Sequence, residues 1–226
     1  MAHRTLADVM TRDVVTVRED TTFDDIVGLL TERHVSAVPV VDGRDRVLGV
    51  VSEADLLRKL EFADTDPAAL AGTPAAAVGR AARVKAAACT AAGLMTAPAV
   101  TAPAGMPVTA AARMMEAAGV KRVPVVDEGR RLVGIASRRD LLTVFLRPDN
   151  AIRHEVVRGV LETLLWIAPT EVTVDVRHGV VYLDGELDRR SLAESVVGMV
   201  RAVDGVVDVV SRLTYPLDDT GSAPGG

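Results

Sequence analysis

Cysteine, lysine and aromatic residues are nearly missing from this chain of 226 residues, and each shortage closes off an option. The single cysteine, Cys89, leaves no internal disulfide to form, which fits a reducing compartment and predicts a cytoplasmic protein. With one Trp, two Tyr and three Phe, any core must be built from Val, Leu, Ile, Ala and Met. Lysine occurs only at 59, 85 and 121, so the positive charge is almost all arginine. The formal charge of −5 argues against a protein that grips nucleic-acid phosphate, which needs a basic surface. No stretch approaches 18 uninterrupted apolar residues, so no transmembrane helix is expected. The opening "MAHRTLADVM" has no apolar leader, so no export is expected. No Cys/His/Asp group has zinc-ligand spacing, and no glycine-rich phosphate loop of the G-x-x-x-x-G-K-[ST] kind occurs. No nucleophile stands beside an assignable base. The expectation is a chain without a catalytic constellation or a metal site.

What the chain does have is the same unit twice, at an offset of 85 positions and without a gap. "DVMT" at 8–11 answers "GLMT" at 93–96, and "AVPVVD" at 37–42 answers "RVPVVD" at 122–127. "VLGVVSEADLL" at 47–57 answers "LVGIASRRDLL" at 132–142. Such a repeat predicts two similar supersecondary units packed about a pseudo-two-fold axis, with a shared cleft between them. Each copy reads as β-α-β-β-α. Strands fall at 14–17 and 99–102, an amphipathic helix carries Phe23, Ile26, Leu29 and Leu30 or Val108, Ala111 and Met115, and a "VPVV" hairpin leads to a closing helix. Thr21 and Thr22 are candidate caps for the first of these helices, and Pro107 suits the first helical position of the second.

The domains expected are 1–62, 91–147 and a third unit at 148–217. Between the first two lies a linker, 63–90, ending in an Ala-rich, basic helical stretch. The third unit reads as α-β-β-α-β: a helix over about 150–165, an alternating hairpin turning at His178–Gly179, a helix over about 189–203, and a closing strand. Val156, Val160, Leu164, Val196, Val200 and Val203 of the helices are expected to meet Val172, Val174, Val176, Val181, Leu183, Val207 and Val209 of the strands in one apolar layer. Trp166 reads as a packed residue at a helix end or, alternatively, as an anchor for a partner. The tail 218–226 is expected to be disordered.

The doubled "PVVD" strand and the doubled G-h-x-S-x-x-D turn, Gly49–Asp55 and Gly134–Asp140, resemble a tandem pair of CBS (cystathionine-β-synthase) domains, a Bateman module. The segments "VRHGVVYLDGEL" and "VRAVDGVVDVVSRL" resemble a C-terminal BON domain. The implied class is α/β (α+β): two pseudo-symmetric CBS units forming one module, then a small BON domain.

The turns have two chemical readings. Ser52 and Ser137 end a strand where a helix begins, and Asp55 and Asp140 follow three residues later, which is the pattern of a capping box. The same groups suit a nucleotide: a helix N-terminus and a hydroxyl for phosphate, a carboxylate for two ribose hydroxyls. The resemblance implies the second reading, with Asp55 and Asp140 on ribose, Ser52 and Ser137 on phosphate, and an adenosine-type ligand (AMP, ADP or ATP) in the cleft. Arg122, Arg138 and Arg139 stand only in the second copy and match phosphate geometry. Val38 and Val123 would flank a purine. The module is then expected to be a non-enzymatic regulator that passes ligand state to an unidentified protein partner through the BON domain. The competing expectation is a ligand-free adaptor whose Ser/Asp pairs only cap helices. A homodimer is expected, through the helices that carry Ile26, Leu29 and Leu30 and those that carry Leu141, Leu142 and Phe145. BON domains are often tied to phospholipid. Here residues 147–217 hold eight Arg against eleven Asp and Glu, so binding to anionic membranes is not expected.

Overall fold

The computed structural model describes residues 4–62, 85, 87–168 and 170–220. The chain forms two compact units. One spans Thr5–Asp140; the other begins at Leu141 and includes Arg4. The linker residues 63–84, half of the basic helix expected before 92, and residues 221–226 of the expected tail lie outside the described residues.

In the first unit the elements are α1 (Leu6–Val9), α2 (Phe23–Glu32), β1 (Ala37–Val41), β2 (Val47–Ser52), α3 (Glu53–Phe62), α4 (Ala91–Leu94), β3 (Ala102–Pro103), α5 (Val108–Ala117), β4 (Arg122–Val126), β5 (Leu132–Ser137) and the start of α6 (Arg138–Leu142). Thr22 caps α2: its hydroxyl accepts the Asp25 amide, and Asp24 and Asp25 sit in the first turn, where the helix dipole favours negative charge. Pro107 stands at the cap of α5, one position before the helix, where its missing N–H costs nothing. Both hairpins are antiparallel, with Val38 opposite Val51 and Val123 opposite Ala136.

The strand expected at 14–17 is reduced to one rung. Val17 donates to the Pro39 carbonyl at 3.0 Å and accepts from Val41 at 3.0 Å. The next rung of a parallel ladder would need an N–H from residue 39, and proline has none. In the second copy Pro124 occupies the matching place, and β3 is only two residues long.

The two copies exchange their leading segments. Leu6 and Ala7 donate to the carbonyls of Met106 and Ala104, and Thr11 pairs with Ile135 in both directions at 2.9 Å. Reciprocally, Ala91 and Ala92 donate to Thr21 and Glu19, and Thr96 pairs with Val50. Ala91 and Leu94 are thereby buried in one cluster with Ile26, Leu30, Val38, Val40, Val51 and Leu56 of the other copy. Gly49 and Gly134 make room for the crossing: a Cβ at Gly134 would lie 2.4 Å from the Met10 sulfur, and one at Gly49 2.6 Å from that of Met95. Ile26 and Leu30 belong to this core, so they are not available to a second chain as the sequence pattern suggested.

The second unit continues with the 3-10 turn Thr143–Leu146, α7 (Asp149–His154), β6 (Val172–Arg177), β7 (Val180–Glu186), α8 (Arg190–Arg201) and β8 (Asp208–Thr214). The sheet order is β6-β7-β8, antiparallel then parallel, with α8 making the crossover. From Glu155 to Leu164, α7 continues as a π-helix, whose bonds close to the fifth residue. This wider winding buries Val156, Val160 and Leu161 and turns Leu164 outward, which corrects the expectation that Leu164 faces the sheet. Val207, also expected in the core, precedes β8 and is exposed, whereas Val172, Val174, Val176, Val181, Leu183 and Val209 alternate into it. Trp166 is 89% exposed, so it is not packed at the helix end. His178 and Gly179 both have positive φ, the requirement of a tight hairpin turn. The Asp149 carboxylate accepts both their amides, at 2.8 and 2.9 Å, and the bonds from Gly179 and then His178 hold its pKa below the ordinary value. Asp218 and Asp219, where disorder was expected to begin, bond to Arg190 and Ser191.

Candidate functional site

Each G-h-x-S-x-x-D turn carries its Ser from the end of a strand into the first turn of a helix. The Asp140 carboxylate accepts the Ser137 amide and hydroxyl, both at 2.7 Å, and the Asp140 amide donates back to the hydroxyl at 3.3 Å. The Asp55 carboxylate accepts the Ser52 amide at 3.0 Å and hydroxyl at 2.7 Å. The second turn thus makes both bonds of a capping box, and at the first the Asp55 side chain caps the Ser52 amide.

Beyond that shared geometry the turns differ. Ser137 and Asp140 line a cleft of about 220 Å³ with Thr11, Asp13, Val14, Val15, Val35, Ala37, Arg122, Ile135 and Arg139. The aliphatic side chains offer a flat apolar wall, two arginines offer forked donors, and Thr11, Ser137 and Asp140 offer short polar groups. Asp13 and Asp140 balance the two arginines, so a phosphate here would have to be held on the arginine side. The volume lies below the ~300–1,000 Å³ of ordinary small-molecule sites, which suits a ligand only partly enclosed. Arg122 reaches across the copies and donates to the Ser36 hydroxyl.

At the first turn, Asp55 is 6% exposed. Its other oxygen accepts Lys85 Nζ at 2.8 Å, and Lys85 also donates to the Thr96 hydroxyl at 2.8 Å. Thr96 Oγ1 in turn lies 3.4 Å from the same Asp55 oxygen. Burial pushes the Asp55 carboxyl up, but the Lys85 bond, the two Ser52 bonds and the Lys85 charge outweigh it, so its pKa lies below the usual carboxylate value. A depressed folded pKa gives stability that is complete above the unfolded value of ~3.9 and lost as pH falls through the folded one. Melting followed from pH 5 to 2.5 should show that loss below about pH 4, and Lys85→Gln should shrink it. An acid limb identical in the variant would refute the assignment.

Of the other residues singled out by sequence, Arg122 and Arg139 reach the cleft. Arg138 does not: it pairs with Glu116 at 3.1 Å and donates to the Val120 carbonyl. Val38 and Val123, expected beside a purine, are 0% exposed in the core, and Val35, Ala37 and Ile135 form the wall instead. Thr11, Asp13 and Lys85 were not anticipated. Thr11 had a signal in the doubled "MT"; Lys85 had none. No group of His, Cys, Asp and Glu among the described residues could hold a metal ion. No helix among them is long and apolar enough to cross a membrane.

A doubled Ser-x-x-Asp turn over crossed β-hairpins defines a CBS-pair module. The profile of the CBS domain matches residues 6–61 and 91–147, and that of the BON domain matches 148–216. The chain belongs to the CBS-domain family, as a tandem pair followed by a C-terminal BON domain. Among its relatives, an uncharacterised protein of Methanopyrus kandleri is 26% identical over 139 residues, 62% of this chain and 61% of that one. A homoserine O-acetyltransferase of Methanococcoides burtonii is 28% identical over 141 residues, 62% of this chain but 24% of the enzyme. The chain thus spans only part of the length of the curated relatives it matches. Among solved structures, CBSX2 in complex with AMP superposes with a TM-score of 0.54 at 27% identity, covering 63% of this chain and 96% of that one. A CBS domain pair in complex with 5′-methylthioadenosine and S-adenosyl-L-methionine gives 0.50 at 21% identity, over 64% and 97%, a likeness of fold.

Proposed function

We propose that this protein is a non-enzymatic regulator that takes an adenosine-type nucleotide in the cleft at the second turn and signals its occupancy through the BON domain to a protein partner. The carrying observation is the convergence of Arg122, Arg139, Ser137 and Asp140 on one cleft with an aliphatic wall. Asp140 takes the ribose hydroxyls, Ser137 and the start of α6 take the phosphate with the two arginines, and Val35, Ala37 and Ile135 face the base. CBSX2, which binds AMP, supports the ligand class.

Calorimetric titration with AMP, ADP, ATP and S-adenosylmethionine tests this reading. At least one should bind, and Asp140→Asn should weaken it tenfold or more by removing a charge-assisted bond. The variant's folding stability should fall by no more than about 1 kcal/mol, because Asn can still accept the Ser137 bonds. No binding by any of these ligands would leave the capping box as the whole role of the motif, and the protein as an adaptor.

The functional unit in this reading is a cytoplasmic homodimer. Leu57 and Leu142, equivalent in the two copies, are 53% and 60% exposed and supply apolar surface for it. Light scattering at tens of micromolar should report twice the chain mass of 23.8 kDa; a monomer refutes the dimer.

A further inference from the structure

The two turns carry the same motif, and the second faces an open cleft walled by Arg122 and Arg139. At the first, the carboxylate that matches Asp140 is already engaged. Lys85 Nζ sits 2.8 Å from Asp55 Oδ1 and 2.8 Å from Thr96 Oγ1, with side-chain exposures of 21% for the lysine and 9% for the aspartate. Its ammonium thus donates to the carboxylate and the threonine that a ribose hydroxyl would otherwise meet. Thr96 is the repeat counterpart of Thr11, which lines the open cleft, so Lys85 touches the matching polar groups of the closed one. The segment carrying the lysine is anchored on the first copy nearby: Phe23 donates to the Cys89 carbonyl at 2.9 Å, and Thr90 pairs with Thr22. One arginine is missing as well: Ala54 stands where the second copy has Arg139.

We propose that Lys85 is a built-in occupant of the first-copy site, which holds the module to one adenosine-type ligand per chain and leaves a second, latent site that opens when Lys85 is withdrawn. This rests on the reading above for the identity of the ligand, but the plug itself is tested separately. The buried ion pair explains why the site stays shut. Removing the cation from a buried carboxylate leaves the charge uncompensated, so an incoming ligand must replace what the lysine supplies. A ribose offers two hydroxyl donors but no charge, and competes poorly with an ammonium held in the same chain. With Ala54 in place of Arg139, the latent site has fewer donors for a phosphate, so adenosine, which carries none, is the ligand that probes it.

The test is adenosine titrated by calorimetry into the full chain and into Lys85→Ala and Lys85→Gln. Lys85→Gln keeps a donor for Asp55 and guards against a variant that fails to fold, and melting curves read folding independently. The wild type should bind one equivalent, and a folded variant should bind one more. Adding Asp140→Asn to the variant should remove the first equivalent and spare the second. A wild type that binds two equivalents overturns the plug, as does a folded variant whose count equals that of the wild type. A wild type that binds none, with a variant that binds one, supports the plug while refuting the second-copy site.

Discussion

Replacing Gly185 with alanine should abolish the cooperative unfolding of the BON domain. Gly185 has a φ of +153° and lies opposite Val172 in the β6–β7 ladder. A Cβ there would stand 2.1 Å from the Glu171 carbonyl oxygen and 3.1 Å from the Val172 Cα. Both are backbone atoms of the paired strand, so no flexible side chain can give way. The strands must separate at the end of the ladder where Val172 enters the core beside Leu183. The expected cost is at least about 3 kcal/mol, a large share of the ~5–15 kcal/mol that holds an ordinary domain. Gly198 in α8 is the control, because a Cβ there meets nothing within 4 Å. Gly198→Ala should be neutral or stabilising by up to about 1 kcal/mol. Denaturant melts of the two full-length variants that agree within about 1 kcal/mol would contradict this account.

Residues 1–62, expressed alone as a monomer, should not fold, although they contain a whole copy of the repeat. Their hydrophobic cluster lacks Ala91 and Leu94, both 0% exposed in the intact chain, and the Thr96 partner of Val50. Burying one leucine is worth about 1.5–3 kcal/mol, and each lost backbone bond about 1 kcal/mol. A unit this small has no such margin. Residues 1–140 should melt cooperatively and the short fragment should not. A dispersed amide spectrum from a monomeric short fragment would show that the exchanged segment is dispensable.

The repeat, the hairpins, the Ser/Asp turns and the α-β-β-α-β order of the last unit were all legible, because each rests on local pattern: periodicity, turn residues and cap spacing. The facing of β1 and β4 was not. "VPVV" is apolar throughout, so no alternation shows that Val38 and Val123 look into the core while Ala37 and Arg122 look into the cleft. The crossing of the leading segments left no trace either, since two equal copies align equally well whether each keeps its own segment or takes the other's. The π-helical winding after His154 turned Leu164 out of the core against a 3.6-residue expectation. Lys85 lies 30 positions from Asp55, and an ion pair at that distance has no sequence signature.

Pro39 and Pro124 have one more effect. Each sits in the middle of a strand whose outer side is barely paired, the place where an extended segment from another molecule would add itself. A strand arriving there meets a ring instead of a donor, and its ladder stops after a single rung, as the chain's own residues 14–17 already do. The same missing N–H that trims the native sheet also denies an incoming strand its next rung, so each copy carries a valine-rich "VPVV" core strand that is a poor template for strand addition.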